Sequence, residues 1–368
     1  MVATVPSTIG QFNMDNIHIL KKLNYDVDVA ANFSDTSVWP AERIDRFREE
    51  LAHLDVEPIH IDFSRNPVNI LSHVTAYKSL KRLVQERRYA FVHTHTPVAS
   101  AIARLVAIHT KTKVIYTAHG FHFYNGAPIK NWLLFYPIEK FLSSYTYCLV
   151  TINKEDYYRA YNRFTAENTV YIPGVGVDQN AFKRSNSARE KIRNELGISD
   201  NQIMLLSVGE LNKNKNHEAV IKALAELKID IIYTVVGKGP LDTYLTKLAE
   251  EKRVKIRLTG FRKNVADYYS AADIYILPSI REGLNVSLME AMSCELPCCA
   301  SRIRGNVDLI TNEHCLFSPF SSEEIAQSIK FVIASHDKCS QDNSETIGKF
   351  DKESVRNHMR KIYKSLVG

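Results

Sequence analysis

The chain has 368 residues, 45% hydrophobic and 24% charged, which is the composition of an ordinary soluble globular protein long enough for two domains. Its net charge of +6 is modest and evenly spread over the two halves, which argues against a nucleic-acid partner. No apolar run approaches the roughly eighteen residues of a membrane-spanning helix, and the first residues lack the pattern of a secretory leader, so a cytoplasmic location is expected.

Short β-branched runs alternate with helical patterns from the start: "MVATV", "MDNIHILKKL", "DVDVAA", "RIDRFREELAHL", "EPIHID", "ILSHVTAYKSLKRLVQE", "YAFVHTH", "VASAIARLVAI", "KVIYTAH", "NWLLFYPIEKFLSS" and "YCLVTIN". Only Met1 precedes "VATV" in the first of these, which leaves open whether native residues stand ahead of it. Residues 172–186, "IPGVGVDQNAFKRSN", break the register with two glycines and a proline and read as a linker. The alternation then resumes through "IMLLSVG", "HEAVIKALAEL", "IDIIYTVVG", "PLDTYLTKLAEE", "VKIRLTG", "VADYYSAA", "DIYILPS", "LNVSLMEAM" and "PCCAS", with helical patterns near 322–334 and 351–366. Strand and helix taking turns predict parallel sheets covered by helices. The predicted architecture is α/β, with two Rossmann-like domains, 1–172 and 173–350, meeting at a cleft, followed by a final helix at 351–368.

Six cysteines, Cys148, Cys294, Cys298, Cys299, Cys315 and Cys339, form no C-x-x-C pair. Reduced core thiols are expected rather than disulfides or a zinc site. Asp26 and Asp28 have the D-x-D spacing of metal-dependent sugar transferases but open a strand instead of ending one, so no metal and no cofactor is expected. "VPSTIGQF" lacks the G-x-G-x-x-G dinucleotide fingerprint, and Gly237 and Gly239 supply only half of it.

Ligands of parallel sheets bind at the carboxyl ends of strands, so the candidates are the polar residues that follow strands. In "REGLNVSLMEAMSCELP", Glu282 and Glu290 stand eight positions apart, with a helix predicted to start near Leu284. Amide groups at such a helix mouth suit a diphosphate, and two carboxylates about 12 Å apart along a helix suit hydroxyls at both ends of one ligand. The purely structural alternative is a helix cap by Glu282 and a buried ion pair for Glu290. In "VGELNKNKNH", Gly209 ends a strand and Lys215 stands where the next helix begins, able to neutralise charge on a diphosphate leaving group or simply to fill a hydrophilic turn. In "TAHGFHFYNG", His119 ends a strand and can exchange hydrogen bonds with a sugar hydroxyl or a reacting oxygen, or be a satisfied turn residue; His93 and His95 read as cleft lining.

These motifs, in this order, resemble the retaining sugar-nucleotide transferases of glycosyltransferase family 4, which have the GT-B fold, and the resemblance spans the whole chain. The E-x7-E motif matches Glu282 to Glu290; the resemblance implies that Glu282 contacts the donor sugar, Glu290 the ribose, and the Gly283–Leu284–Asn285 stretch the pyrophosphate. It further implies that Gly209 and Lys215 grip the diphosphate, that Gly260, Phe261 and Arg262 cup the nucleobase, that His119 faces the reacting centre, and that Gly10 in the first loop lies near phosphates and acceptor. The chain departs from the pattern twice: Glu210 replaces the usual arginine, leaving Lys213 or Arg262 to compensate, and Asn285 replaces a glycine. The implied activity is transfer of a hexose or N-acetylhexosamine from a nucleoside-diphosphate sugar, UDP-linked by expectation, to a saccharide acceptor. The family picture implies same-face attack without a protein nucleophile, in a site that closes about 172–186 to exclude water. The alternatives are a UDP-sugar epimerase on the same fold and a non-catalytic sugar-nucleotide-binding protein.

Eight Lys or Arg against Glu86 alone between Lys78 and Lys113 form a local basic excess. Beside it, Trp132, Leu133, Phe135, Tyr136 and Phe141 lie on a helical stretch expected to break or bend at Pro137. Together they suit peripheral attachment to an anionic membrane face, where a lipid-linked saccharide would be the acceptor, with a core-facing helix as the alternative.

Overall fold

A computed structural model describes residues 1–366. The chain divides into two compact units: unit 1 is Met1–Val175 together with the chain from Val355 onward, and unit 2 is Gly176–Ser354.

Unit 1 carries strands β1 (Val27–Ala31), β2 (Val56–His60), β3 (Phe91–Thr94), β4 (Lys113–Ala118), β5 (Cys148–Thr151) and β6 (Asn168–Tyr171). Its helices are α1 (Pro6–Phe12), α2 (Met14–Lys22), α3 (Ala41–Ala52), α4 (Ile70–Arg87), α5 (Pro97–Thr110), α6 (Ile129–Ser143) and α7 (Lys154–Arg163). The strands run parallel as β1 with β2 and as β3-β4-β5-β6. "VATV" is not a full strand: Val2 alone bridges Ala30 and Thr94 in parallel, and so joins the two groups. Left-handed residues Arg88 and Lys111 stop α4 and α5, accepting a strain that usually falls to glycine.

Unit 2 contains α8 (Asn186–Leu196), β7 (Ile203–Val208), α9 (His217–Ala225), β8 (Ile231–Val236), α10 (Asp242–Lys252), β9 (Lys255–Leu258), α11 (Val265–Ala271) and β10 (Ile274–Leu277). It continues with α12 (Val286–Ser293), β11 (Cys298–Ser301), α13 (Asn306–Leu309), β12 (Leu316–Phe317), α14 (Ser322–Ala334) and α15 (His336–Ile347). Serine caps start α8 and α14: Ser185 Oγ accepts from the Ala188 amide and Ser321 Oγ from the Glu324 amide. The parallel sheet has the order β12-β11-β10-β7-β8-β9. The chain builds outward from β7 through β8 and β9, then returns to β7's other side with β10. That reversal opens a crevice at the carboxyl ends of β7 and β10, where the diverging loops cannot cover the sheet. The inner strands β8 and β10 are buried on both faces because helices cover both, and five of the six cysteines, Cys294 to Cys339, are buried in this unit as free thiols.

A last helix, α16 (Lys352–Lys364), brings Val355, Met359, Ile362 and Tyr363 into the unit 1 core with Ile17, Val29, Ile115 and Val150. The Tyr363 hydroxyl is 2.8 Å from His93 Nδ1. The segment 172–186 is not a bare linker: within unit 2, Val177 and Asp351 form a parallel bridge, with the Val177 amide donating to Phe350 O and the Lys352 amide to Val177 O.

Candidate active site

Three loops of unit 2 converge at the crevice between β7 and β10. The β7–α9 loop, "GELNKNKN", is stitched to the β10–α12 loop by asparagines. Asn214 Nδ2 donates to Arg281 O at 3.0 Å, the Ile280 amide donates to Asn214 O at 2.8 Å, and Asn216 Nδ2 donates to Pro278 O at 3.2 Å. Asn216 holds φ 55°, a left-handed conformation asparagine tolerates better than most residues. Asn212 Oδ1 accepts from the Lys215 amide and its Nδ2 donates to Glu210 Oε2. These contacts fix the lysine's backbone, and its Nζ lies 2.8 Å from Glu282 Oε1. Lys215 and Glu282, 67 residues apart, thus form one ion pair, at 18% and 14% side-chain exposure.

The mouth of α12 begins three residues after Glu282. Asn285 is the cap, its Oδ1 accepting from the Leu288 amide at 3.0 Å, so Glu282 is left outside the helix. Among the described residues Glu290 has a hydroxyl partner rather than an ion pair: Tyr269 donates to its Oε2 at 2.8 Å. Burial pushes the Glu290 carboxyl up from the ordinary 4.5 to about 6, the Tyr269 hydrogen bond opposing the rise. Both halves of the structural alternative for these acids therefore differ from what the chain does. A glutamate that is partly buried, ionised at neutral pH and held by one hydroxyl is available to a further donor.

Glycines let the loops approach. A Cβ on Gly237 would meet Gly209 O at 1.8 Å, and one on Gly239 would meet Leu211 O at 2.4 Å, so the half-fingerprint serves to press the β8–α10 loop onto the Lys215 loop. A Cβ on Gly209 would lie 3.1 Å from Lys215 Cε. Gly260 takes φ 73°, followed by Phe261, which is 66% exposed. Arg262 donates through Nε to Thr259 O and reaches toward Glu195 of α8 at 3.7 Å. Sequence reasoning missed two further members. Tyr269 gave no signal because its role depends on a contact 21 residues away; Arg304, from the β11–α13 loop, donates through Nε to Glu282 O at 3.1 Å.

In unit 1, His119 follows β4, and its buried Nε2 has no hydrogen-bond partner among the described residues. Burial lowers its pKa to about 4 and holds His93 and His95 well below the usual value, so all three rings are neutral at pH 7. His119 lines a recess with Phe12, Asn13, Asn16, Thr117 and Arg356 at the carboxyl ends of β4 and β5. A neutral imidazole there can hydrogen-bond a hydroxyl but carries no charge. Gly10 is a correction: "PSTIGQF" forms helix α1, with Pro6 at its first position, not a glycine loop. A Cβ on Gly10 would lie 2.4 Å from the Trp39 ring, so the glycine admits an aromatic side chain.

The helix α6 runs unbroken through Pro137. Trp132, Phe135 and Tyr136 pack inward on Phe121 and Phe123, whereas Ile129, Leu133, Leu134, Ile138 and Phe141 are exposed. The aromatic face expected to be presented is therefore split between the core and the surface. Arg104, counted with the basic excess, is 1% exposed and pairs with Glu139 at 2.8 Å.

Residues 188–346 match the family described as glycosyl transferases group 1, and residues 8–174 match the glycosyl transferase 4-like domain. A putative glycosyltransferase EpsD of Bacillus subtilis is 35% identical over 318 residues, covering 84% of this chain and 79% of the relative. The chain belongs to the group 1 glycosyltransferases. An Escherichia coli UDP-Gal:alpha-D-GlcNAc-diphosphoundecaprenol alpha-1,3-galactosyltransferase is 28% identical over 262 residues, 67% of this chain and 66% of that enzyme. The crystal structure of Anabaena HepE in complex with UDP and glucose superposes with a TM-score of 0.78 at 19% identity, over 99% of this chain and 98% of that one. The fold is accordingly GT-B, two Rossmann-like halves, and this glycosyltransferase is an enzyme of polysaccharide biosynthesis by kinship. Among the described residues no helix is long and apolar enough to cross a membrane.

Proposed function

We propose that this glycosyltransferase moves a hexose or N-acetylhexosamine, with retention, from a UDP-linked donor to a lipid-linked saccharide at an anionic membrane face. The observation that carries the reading is the Lys215–Glu282 pair at the mouth of α12, 2.8 Å apart at the switch point of the unit 2 sheet. A sugar diphosphate exchanges this pair for better partners: the diphosphate takes the ammonium and the α12 amides, and the sugar hydroxyls take the carboxylate. Glu290 receives ribose hydroxyls, and the exposed Phe261 ring stacks on the base.

As the glycosidic bond to phosphate breaks, negative charge grows on the leaving diphosphate, and Lys215 stabilises it where it develops. The departing phosphate oxygen takes the proton of the attacking hydroxyl on the same face. His119, neutral, orients a hydroxyl in the unit 1 recess. With a lysine and a helix terminus serving the phosphates, the transfer is proposed to run without a metal ion.

The membrane part rests on the exposed row Ile129, Leu133, Leu134, Ile138 and Phe141, flanked by the exposed Lys130 and Lys140. The E. coli relative's acceptor is a diphosphoundecaprenol-linked sugar, which fits such placement. The test is transfer from a panel of UDP- and GDP-sugars to lipid-linked acceptors, with Glu282→Ala and EDTA as controls. Turnover is expected to fall at least about 100-fold in Glu282→Ala, with folding unchanged and no effect of EDTA. Equal turnover in Glu282→Ala removes that carboxylate from the site, and loss of turnover with EDTA overturns the metal-free reading.

A further inference from the structure

We propose that His95 is the positioning residue for His119: the two imidazoles share a hydrogen bond, direct or through one water, that holds His119 in a single tautomer. This rests on the reading of His119 as a contact for the acceptor hydroxyl. Side chains two apart on a strand share a face, so His93 and His95 at the end of β3 stand beside Thr117 and His119 at the end of β4. His93 is fully engaged there. Its Nδ1 lies 2.8 Å from the Tyr363 hydroxyl and its Nε2 2.8 Å from Thr117 Oγ1.

His95 is the opposite case. It is 2% exposed, its amide donates to Val2 O at 3.1 Å, and neither ring nitrogen has a hydrogen-bond partner among the described residues. A neutral imidazole carries one donor and one acceptor, and burying both unmade is costly, so the ring calls for a partner. Two other histidine rings lie against it. His93 is centred 4.1 Å away with both nitrogens used, whereas His119 is centred 5.8 Å away with a buried Nε2 that also lacks a partner. The two orphaned rings are thus within one hydrogen bond, or one bridging water, of each other. Once Nε2 of His119 is engaged, the nitrogen left for the recess is Nδ1, and the direction of the shared bond decides whether Nδ1 carries the proton. A leucine at 95 would fill the space and leave His119 free to exchange tautomers, so that part of the population would offer an acceptor hydroxyl the wrong partner.

The test is long-range proton–nitrogen NMR of the histidine-labelled chain, which reads the tautomer of each ring, with kinetics on the donor–acceptor pair that the panel above selects and calorimetric titration of UDP. His119 is expected in one tautomer in the wild type and in a mixture in His95→Leu. The same substitution should lower kcat about 10-fold, the worth of one orienting hydrogen bond, with UDP affinity unchanged. His95→Gln, which keeps a donor and an acceptor, should recover most of the loss. In a His119→Ala background His95→Leu should cost nothing more, which a merely structural role for His95 would not give. Mixed tautomers of His119 in the wild type, an unchanged tautomer in His95→Leu, or additive losses in the double variant overturn the assignment. If His95→Leu fails to fold, the wild-type and His95→Gln spectra decide, since His119 must hold one tautomer in both. A tautomer that shifts in His95→Leu while transfer holds keeps the pairing and overturns the reading of His119 as an acceptor contact.

Discussion

Glu290→Gln separates what the fold prefers from what the ligand needs. The carboxyl titrates at about 6 in the folded chain against an ordinary 4.5. Between those values the folded state binds more protons than the unfolded one, so the contribution to stability is fully present below pH 4.5 and lost as pH rises through 6. At pH 7.5 ionised Glu290 therefore costs the fold at most about 2 kcal/mol. A glutamine keeps the Tyr269 hydrogen bond and never ionises. In urea unfolding, the variant's advantage should be near zero at pH 4.5 and climb to a plateau of about 2 kcal/mol above pH 7. Both tryptophans, Trp39 and Trp132, lie in unit 1, so their fluorescence isolates that unit's transition while far-UV circular dichroism follows both. The same variant should bind the nucleoside diphosphate about 10- to 100-fold more weakly, having lost a charged acceptor for hydroxyls. A variant less stable than wild type at pH 7.5, or an advantage that does not change with pH, refutes the reasoning.

Glu139→Ala should destabilise unit 1 by about 3–5 kcal/mol, because Arg104 is left buried without its carboxylate; thermal unfolding by tryptophan fluorescence reads this. Gly237→Ala should cost more than about 2 kcal/mol and abolish donor binding, since its methyl would force the Gly209 carbonyl and with it the Lys215 loop outward; differential scanning calorimetry with and without UDP checks both. Leu133→Glu with Phe141→Glu should remove sedimentation with anionic vesicles while leaving the melting temperature within about 2 °C, because both side chains are already in solvent.

The alternating pattern was enough to place strands such as Ile203–Val208 and Ile274–Leu277, because fully buried parallel strands are written as short apolar runs. Glu282 and Lys215 were readable because polar residues directly after such strands have few structural reasons to be there. The first helix was not: "PSTIGQF" has a proline and a glycine that look like punctuation, yet the proline opens the helix and the glycine makes room for Trp39. Asn285 was read as a lost glycine when it is the cap of α12, and Arg304 escaped notice because its contact with the Glu282 backbone carbonyl leaves no mark in sequence. The split of α6 into a core-facing aromatic side and an exposed aliphatic side needed the partner sheet's position, which local periodicity does not contain.

Because Val355, Met359, Ile362 and Tyr363 complete the core that Ile17, Val29 and Ile115 begin, the amino-terminal half is left unfinished while some 180 intervening residues are being synthesised. During translation the nascent chain therefore exposes an open oily seam along its first sheet, with His93 still waiting for the Tyr363 hydroxyl, as the middle half emerges and folds ahead of it. A ribosome that stalls before residue 355 would release a product competent in its second lobe and sticky in its first.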